Sequence, residues 1–547
     1  MVFIGILLLG GVIMPGNVCF VLHAHIPYVK KHGVWPHGEE WVFEAMAETY
    51  IPLINMINKL ERDGVKAKLT INVTPILLEQ LSDNYMKNRF EEYVKTRIEY
   101  AEGDIKRFQR KKEYQKLAEM YYNYYVNIYE SFRKYDRNLP GALKNLQDNG
   151  SIEIISCSAT HAYLPLLLED EWIYFQIKVG VETYKKYFKR RPRGIWLPEM
   201  GYRPKGSWEG PNGYKKDYRR GLEEFLEEFG LEYFFVDAHA IQGRKVRVMF
   251  SGGEFVEKDP NWTPRGDIYS AYKVKGSKVY VIGRNLETAL QVWSREIGYP
   301  GDPWYREFHK LDEISGMHYW RITNKNVPLD GKRVYNVEMA QERVKVHARH
   351  FVSLVTNILK DKDYRSIVLA PYDAELFGHW WFEGIDWLEL VIRLLNESKD
   401  VRLRTITEYL ETYPPNKEIE LPESSWGYGG KHMTWWNEEA LDYWKKEYEA
   451  ERKALEIKSY IKYKNGRKKY IIQALRELLL LQSSDWAFLI FTKQATDYAK
   501  ERYEKHYKRF IELYDAITKG VETKDRDVFL EDDVFDNEII EDAILSS

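Results

Sequence analysis

Cysteine is nearly absent. The 547 residues include two, Cys19 and Cys157, so a disulfide framework is excluded and a reducing, cytoplasmic setting is the expectation. An excess of one charge is also missing. Lys and Arg number 81 against 83 Asp and Glu, a net charge of −2, which is no basic field for holding nucleic acid by its phosphates. The N-terminal apolar run, MVFIGILLLGGVI at 1–13, is too short to cross a bilayer and lacks the basic start of a signal peptide. It reads as an extension upstream of the natural start, with a membrane anchor as the alternative, and no membrane partner is expected. No GxGxxG follows the first strand candidate, no HExxH occurs, and no internal repeat is visible. These absences argue against a dinucleotide fold, a helix-borne zinc site and a solenoid.

What the chain has in quantity is aromatic rings: 17 Trp, 41 Tyr and 23 Phe, 15% of all residues. Flat amphipathic rings build cores, and they also stack on bases or sugars. The balanced charge disfavours bases, so sugars lead. The length exceeds one ordinary domain and predicts a large barrel-type unit with additions.

Seven short apolar segments read as strands: 19–25, 66–74, 151–160, 194–200, 232–239, 278–285 and 366–375. Amphipathic helical stretches such as 41–62 and 336–360 lie between most of them, the pattern of a parallel sheet, closed as a (β/α) barrel. Residues 82–150 switch to charged helix and read as a helical insertion, which packs as a hairpin or shapes a cleft wall. The barrel is therefore assigned to 14–81 and 151–412. The stretch 240–276, rich in Gly, Pro and charge, reads as a long binding loop or lid. Past Pro414 and Pro415 the strand signals end, and 413–520 reads as a helical C-terminal domain, followed at 521–547 by an acidic, poorly ordered tail.

Three strand candidates end in ionisable side chains: His23 and His25, Glu199, and Asp373. In a parallel barrel the carboxyl ends of the strands line the active face. Two carboxyls from different strands among aromatics suit glycoside cleavage, one as nucleophile and the other, kept protonated, as acid. Spacing alone leaves open that both are structural ion-paired acids. His23 and His25 face the same way along a strand, a spacing also used for metals. With His161 and Asp373 they could form a four-ligand metal site; hydrogen bonding to sugar hydroxyls or to the catalytic carboxyls is the other reading.

At these residues the sequence resembles glycoside hydrolase family 57. The matching segments are LHAHIPY (22–28), THAYLPLL (160–167), WLPEMGY (196–202), APYDAELFGHWWFEG (370–384) and ESSWGYGGKHMTWWN (423–437), with NVTPILLEQL (72–81), QVWSREIGYPGDPWYREFH (291–309) and LQSSDWAFLI (481–490). They run in order from about residue 18 to 500. The resemblance implies a (β/α)7 barrel, a retaining reaction on α-glucans such as amylose, amylopectin or glycogen, and no cofactor or metal. It assigns Glu199 as nucleophile and Asp373 as acid/base. The QVWS and SSWG segments are similar to the branching enzymes of the family, which implies transfer of a cleaved α-1,4 chain to a 6-hydroxyl; an α-amylase or 4-α-glucanotransferase is the alternative. By motif it gives Arg284, Gly301, Trp426, Asp485 and Gln494 as sugar contacts, with Trp293 and Trp435 as aromatic walls. His23, His25, His161 and His239 are expected to face the substrate, and Trp35 to be a further platform. For Trp426 and Trp435 interdomain core is the alternative, and for Trp35 surface packing. A tip tyrosine of the 243–267 loop, expected by resemblance, is absent; Phe250, Phe255 and Trp262 are there instead. A metal-dependent hydrolase and a non-catalytic glucan-binding module are the competing classes, and a chelator separates the first. The chain is expected to be a monomer or small homo-oligomer, and its Lys, Glu and Tyr content points to a thermophilic source.

Overall fold

The structure, a computed structural model, describes residues 15–547 apart from 244–245, 251–252, 258–264, 295–296, 463–466 and 522–526. The expectation for residues 1–13 and the side chain of Trp262 lie outside the described residues.

Seven parallel strands carry the catalytic unit: β1 (Gly16–Ala24), β2 (Leu69–Val73), β3 (Ile152–Cys157), β4 (Ile195–Trp196), β5 (Tyr233–Val236), β6 (Tyr280–Gly283) and β7 (Ile367–Asp373). Each coincides with one of the seven apolar segments. All nine residues of β1 are buried, which is why it reads as a continuous rather than alternating run. β7, β1, β2, β3 and β4 form one parallel ladder, and β5 and β6 a second. Two narrow seams join them into a distorted barrel. Gly194 bridges Tyr233 in parallel, and the Asn285 N–H donates to the Leu369 carbonyl at 2.9 Å. β6 also pairs antiparallel with Ala271–Val274, which in turn pairs with Glu418–Ile419, and the Ile367 N–H at the start of β7 donates to the Tyr269 carbonyl at 2.9 Å.

Helices cover the barrel through apolar stripes. In Val337–Leu359 the buried residues are Ala340, Val344, Ala348, Phe351, Val355 and Leu359, a spacing of three to four, and the Asn336 side chain caps the first turn, as helical periodicity and capping chemistry require. Residues 39–62 form one long helix interrupted by a π-helical turn at Met46–Tyr50. Between β2 and β3 stand the helices Asn84–Arg107, Lys112–Lys134 and Leu139–Asp148. The first two pack on each other, with Phe90, Tyr121, Tyr125 and Phe132 buried in the same core as β1 and β2.

Three expectations are corrected. Within 243–267 the described strands Val246–Phe250 and Gly253–Glu257 form an antiparallel pair that lies against the turn Tyr428–Gly430, where an irregular loop was expected. The region after 413 is helical except for Glu418–Ile419, which joins the second sheet. The acidic tail is docked. Beyond the helices Leu441–Lys458, Lys468–Leu481, Asp485–Thr492 and Thr496–Lys519, it adds Val528–Glu531 and Asn537–Ser546. Val528, Val534, Phe535, Ile540 and Ile544 are buried there, so apolar side chains between the acidic ones anchor it. No described helix is long and apolar enough to cross a membrane.

Candidate active site

Register across β2, β1 and β7 sets Asn72, His23 and Asp373 side by side at the carboxyl end of the barrel. The His23 Nδ1–H donates to Asn72 Oδ1 at 2.7 Å, while the Asn72 amide donates to the carbonyls of Ile155 and Ser156. The Asn72 bonds to the carbonyls fix its oxygen toward His23 and thereby the His23 tautomer. The His23 ring stacks on Trp196 of β4 at 4.7 Å and on His161 at 4.9 Å, and His25 stacks on His161 at 4.1 Å. Burial, with His25 alongside, lowers His23 to about 3, and burial also lowers His161, so both rings are neutral at pH 7. His25 behaves differently. Its Nε2 lies 3.0 Å from Asp485 Oδ2, and Thr74 holds its Nδ1 at 3.0 Å. Burial opposes a charged imidazole, but Asp485 outweighs it and raises His25. Burial likewise opposes the Asp485 carboxylate, and His25 outweighs it and keeps that carboxyl below its usual range.

Glu199 follows β4 in the turn Pro198–Met200 with left-handed dihedrals, φ 61° and ψ 22°; His161 is left-handed too, at φ 58°. Such backbone costs about 1–3 kcal/mol per residue and persists where surroundings impose it. For Glu199 those surroundings are plain. The Trp426 indole N–H donates to Glu199 Oε2 at 2.6 Å, and the Trp426 backbone N–H donates to the Glu199 carbonyl at 3.0 Å. Ser484 Oγ, held by His161 Nδ1 at 2.8 Å, donates to Glu199 Oε1 at 3.4 Å. Burial lifts Glu199 to about 7, against the pull of the Trp426 and Ser484 donors and of His25.

Asp373 ends β7 with no hydrogen-bond donor to its carboxyl among the described residues. Burial raises it well above the carboxylate range, and Glu375 and Glu199 raise it further. Glu375 Oε1 accepts from the His25 backbone N–H at 3.1 Å and from the Tyr50 hydroxyl at 2.5 Å. Arg284 forks onto Asp237 at 3.0 and 2.7 Å and lies over the Trp426 ring at 5.7 Å. The two carboxyls thus sit in unlike settings: one surrounded by donors, the other beside a further acid.

Of the other residues singled out, His239 is buried beside Asp237, its Nε2 bonded to the Gly430 carbonyl at 2.9 Å. Trp435 is 1% exposed and stacks on Tyr163 at 4.1 Å. It is packing behind the site, so its reading as an open aromatic wall is corrected. Gln494 is exposed, two residues past the end of the helix Asp485–Thr492. Trp293 ends Leu286–Trp293 half-buried, and Gly301 closes the turn Tyr299–Gly301; nothing among the described contacts joins either to Glu199 or Asp373. Trp35 is 71% exposed on the loop after β1.

The metal reading changes as well. His23 is committed to Asn72, and the group with converging ligand atoms is His25, His161 and Asp485, without Asp373. Among the described residues these atoms already have protein partners: His25 Nε2 lies 3.0 Å from Asp485 Oδ2, and His161 Nδ1 2.8 Å from Ser484 Oγ. Asn72, Thr74, Ser484 and Glu375 were not singled out in the sequence. Asn72 and Thr74 close the β2 segment, and Ser484 and Glu375 sit inside matched blocks beside Asp485 and Asp373, so position at a strand end was the available signal.

Comparison with known proteins gives concordant results. The model of glycosyl hydrolase family 57 matches residues 19–422, and a model described as the 1,4-alpha-glucan branching enzyme C-terminal region matches 446–540. A 1,4-alpha-glucan branching enzyme of Thermococcus kodakarensis is 47% identical over 523 residues, 94% of this chain and 76% of that one. The crystal structure of a branching enzyme from the hyperthermophilic archaeon Pyrococcus horikoshii matches with a TM-score of 0.87 at 41% identity, over 97% of this chain and 96% of that one. The alpha-amylase AmyC of Thermotoga maritima matches at 0.81 and 33% identity, over 96% and 99%.

Proposed function

The chain belongs to glycosyl hydrolase family 57, and from that premise we propose that it is a 1,4-α-glucan branching enzyme with Glu199 as nucleophile and Asp373 as acid/base. The observation that carries the role assignment is the contrast between the carboxyls. Glu199 accepts from Trp426 and Ser484, donors that favour a carboxylate, while Asp373 is buried against Glu375, which favours the acid.

In the first step a Glu199 oxygen attacks the anomeric carbon of an α-1,4-linked glucose. The bond to the leaving O4 breaks, and O4 takes the proton of Asp373. The chain is now esterified to Glu199. Asp373, ionised, then takes the proton of a 6-hydroxyl on an acceptor chain. That oxygen attacks the same carbon, the ester to Glu199 breaks, and an α-1,6 branch results. Two inversions give net retention. The neutral His23 and His161 and the Arg284–Asp237 fork supply hydrogen-bonding edges for the sugar at −1, and Trp426 an apolar ring.

Water in place of the 6-hydroxyl would make the same site a hydrolase, and the similarity to an alpha-amylase keeps that as the second reading. Closure decides between them. The hairpin 246–257 beside Tyr428–Gly430 and the helix from Asp485 are the elements placed to exclude water. The two buried thiols agree with a cytoplasmic location.

Replacing Glu199 with Gln is expected to cut kcat by at least about a thousandfold with amylose binding retained. With Glu199→Ala, azide should restore turnover and give the β-glucosyl azide, since the small anion enters the vacated face. Retained activity in Glu199→Gln would remove the nucleophile assignment.

A further inference from the structure

The loop that follows Asp373 ends in an exposed ring that the site described above does not use. Trp380 is 53% exposed. Behind it Phe308 lies parallel, at 5.7 Å between centroids and 5° between planes, and behind Phe308 lies His318 at 6.2 Å and 22°. The three rings form a column whose last face, that of Trp380, opens to solvent. His379 stands edge-on to both Phe308 and Trp380, at 5.3 and 6.2 Å, and its Nδ1 is fixed on Glu48 at 2.8 Å. The column is tied to the catalytic centre through the backbone. The Trp380 N–H donates to the Glu375 carbonyl at 3.1 Å, and the Glu375 carboxylate holds the His25 N–H.

We propose that Trp380, backed by Phe308, is a glucose-stacking platform that holds an α-glucan chain running out of the catalytic cleft on the Asp373 side. A lone exposed tryptophan on a mobile tip would lose much of any stacking energy in becoming ordered. Here the ring is already fixed in orientation by the column, so little ordering cost remains. The exposed face is flat and apolar, which suits the C–H face of a glucose ring. The His379 imidazole, held by Glu48, stands at its edge, where ring hydroxyls project. The platform sits on the carboxyl face of the barrel seven residues beyond Asp373, so a chain lying on it is continuous with the site. This proposal rests on the α-glucan reading above.

The test measures amylose affinity by retardation in gels carrying amylose, in the inactive Glu199→Gln background so that nothing is consumed, together with chain-length dependence in the active enzyme. Trp380→Ala is expected to weaken amylose binding about five- to tenfold, the size of one well-placed aromatic contact. The loss in kcat/KM should be greater for amylose than for a short maltooligosaccharide donor, and Trp380→Phe should recover most of it. Phe308→Ala should give a smaller loss of the same kind. Amylose binding by Trp380→Ala as tight as by its parent overturns the platform while leaving the branching reading intact. A parent protein that is neither retarded by amylose nor active on it overturns both.

Discussion

The Trp426 N–H stands 2.6 Å from Glu199 and the Ser484 hydroxyl 3.4 Å from it, and both favour the ionised carboxyl against the burial that lifts it to about 7. Removing one donor should therefore raise this carboxyl further. Trp426→Phe is expected to move the acid limb of the kcat/KM profile to higher pH and to lower neutral-pH activity about tenfold, as for a lost hydrogen bond to a charged group. An unmoved limb would mean that Trp426 acts by packing alone. With Asp373 as the proposed acid, the alkaline limb is assigned to it, because the first step needs its proton. Its neighbour Glu375 makes ionisation harder. Glu375→Gln keeps an oxygen for the His25 N–H and Tyr50 hydroxyl but removes the charge. The ionised form of Asp373 then becomes easier to reach, and the alkaline limb should shift to lower pH. If the limb stays while kcat falls, Glu375 serves only to position the loop. The sequence revealed the acids because strand-end position and motif both mark them. It did not reveal Asn72 or Ser484, whose roles exist only once β2 and the helix from Asp485 meet His23 and His161 in space. Trp435 misled for the opposite reason: an aromatic beside a matched motif reads as a wall, and only packing against Tyr163 makes it core.

Elements divide by how much their pattern depends on distant partners. The seven strands were legible because each is buried along all or nearly all of its length and reads as a short apolar run. The hairpin 246–257 was hidden because its strands are short, and its Gly and charge content reads as loop. The tail was misread for a related reason. Its acidic residues suggest a solvated end, yet Asp532 is fully buried. His32 from the loop after β1 meets it at 2.8 Å, Arg509 pairs with it, and His506 lies at 3.8 Å, itself 2.8 Å from Glu477. Burial would raise Asp532, but the His32 hydrogen bond and the Arg509 charge hold it well below the carboxylate range. Asp532→Asn should cost about 3 kcal/mol, as for breaking a buried charge pair, and lower the melting temperature of the whole protein. Burial and Arg502 lower His32 to about 4. A histidine whose folded value is depressed binds fewer protons than in the unfolded chain, so stability should fall as pH drops from about 6.5 toward 4. A melting temperature flat across that interval in the wild type would contradict the depressed value of the buried His32. The shift should be smaller in His32→Gln.

At the scale of the whole molecule, the barrel brings a donor-rich glutamate and a proton-holding aspartate to one face, and the C-terminal helices supply Asp485 and Ser484 from outside it. The chemistry up to the covalent intermediate is common to branching and hydrolysis. What distinguishes them is the second nucleophile, and in the proposal above the hairpin and the helical cover keep water from taking that place. The most direct measurement is made on purified enzyme with amylose, counting new reducing ends and, after debranching with isoamylase, α-1,6 linkages in the same samples. Branches far in excess of new reducing ends are the expected result. Reducing ends that accumulate without branches would contradict it and make the protein a hydrolase on the same Glu199 and Asp373.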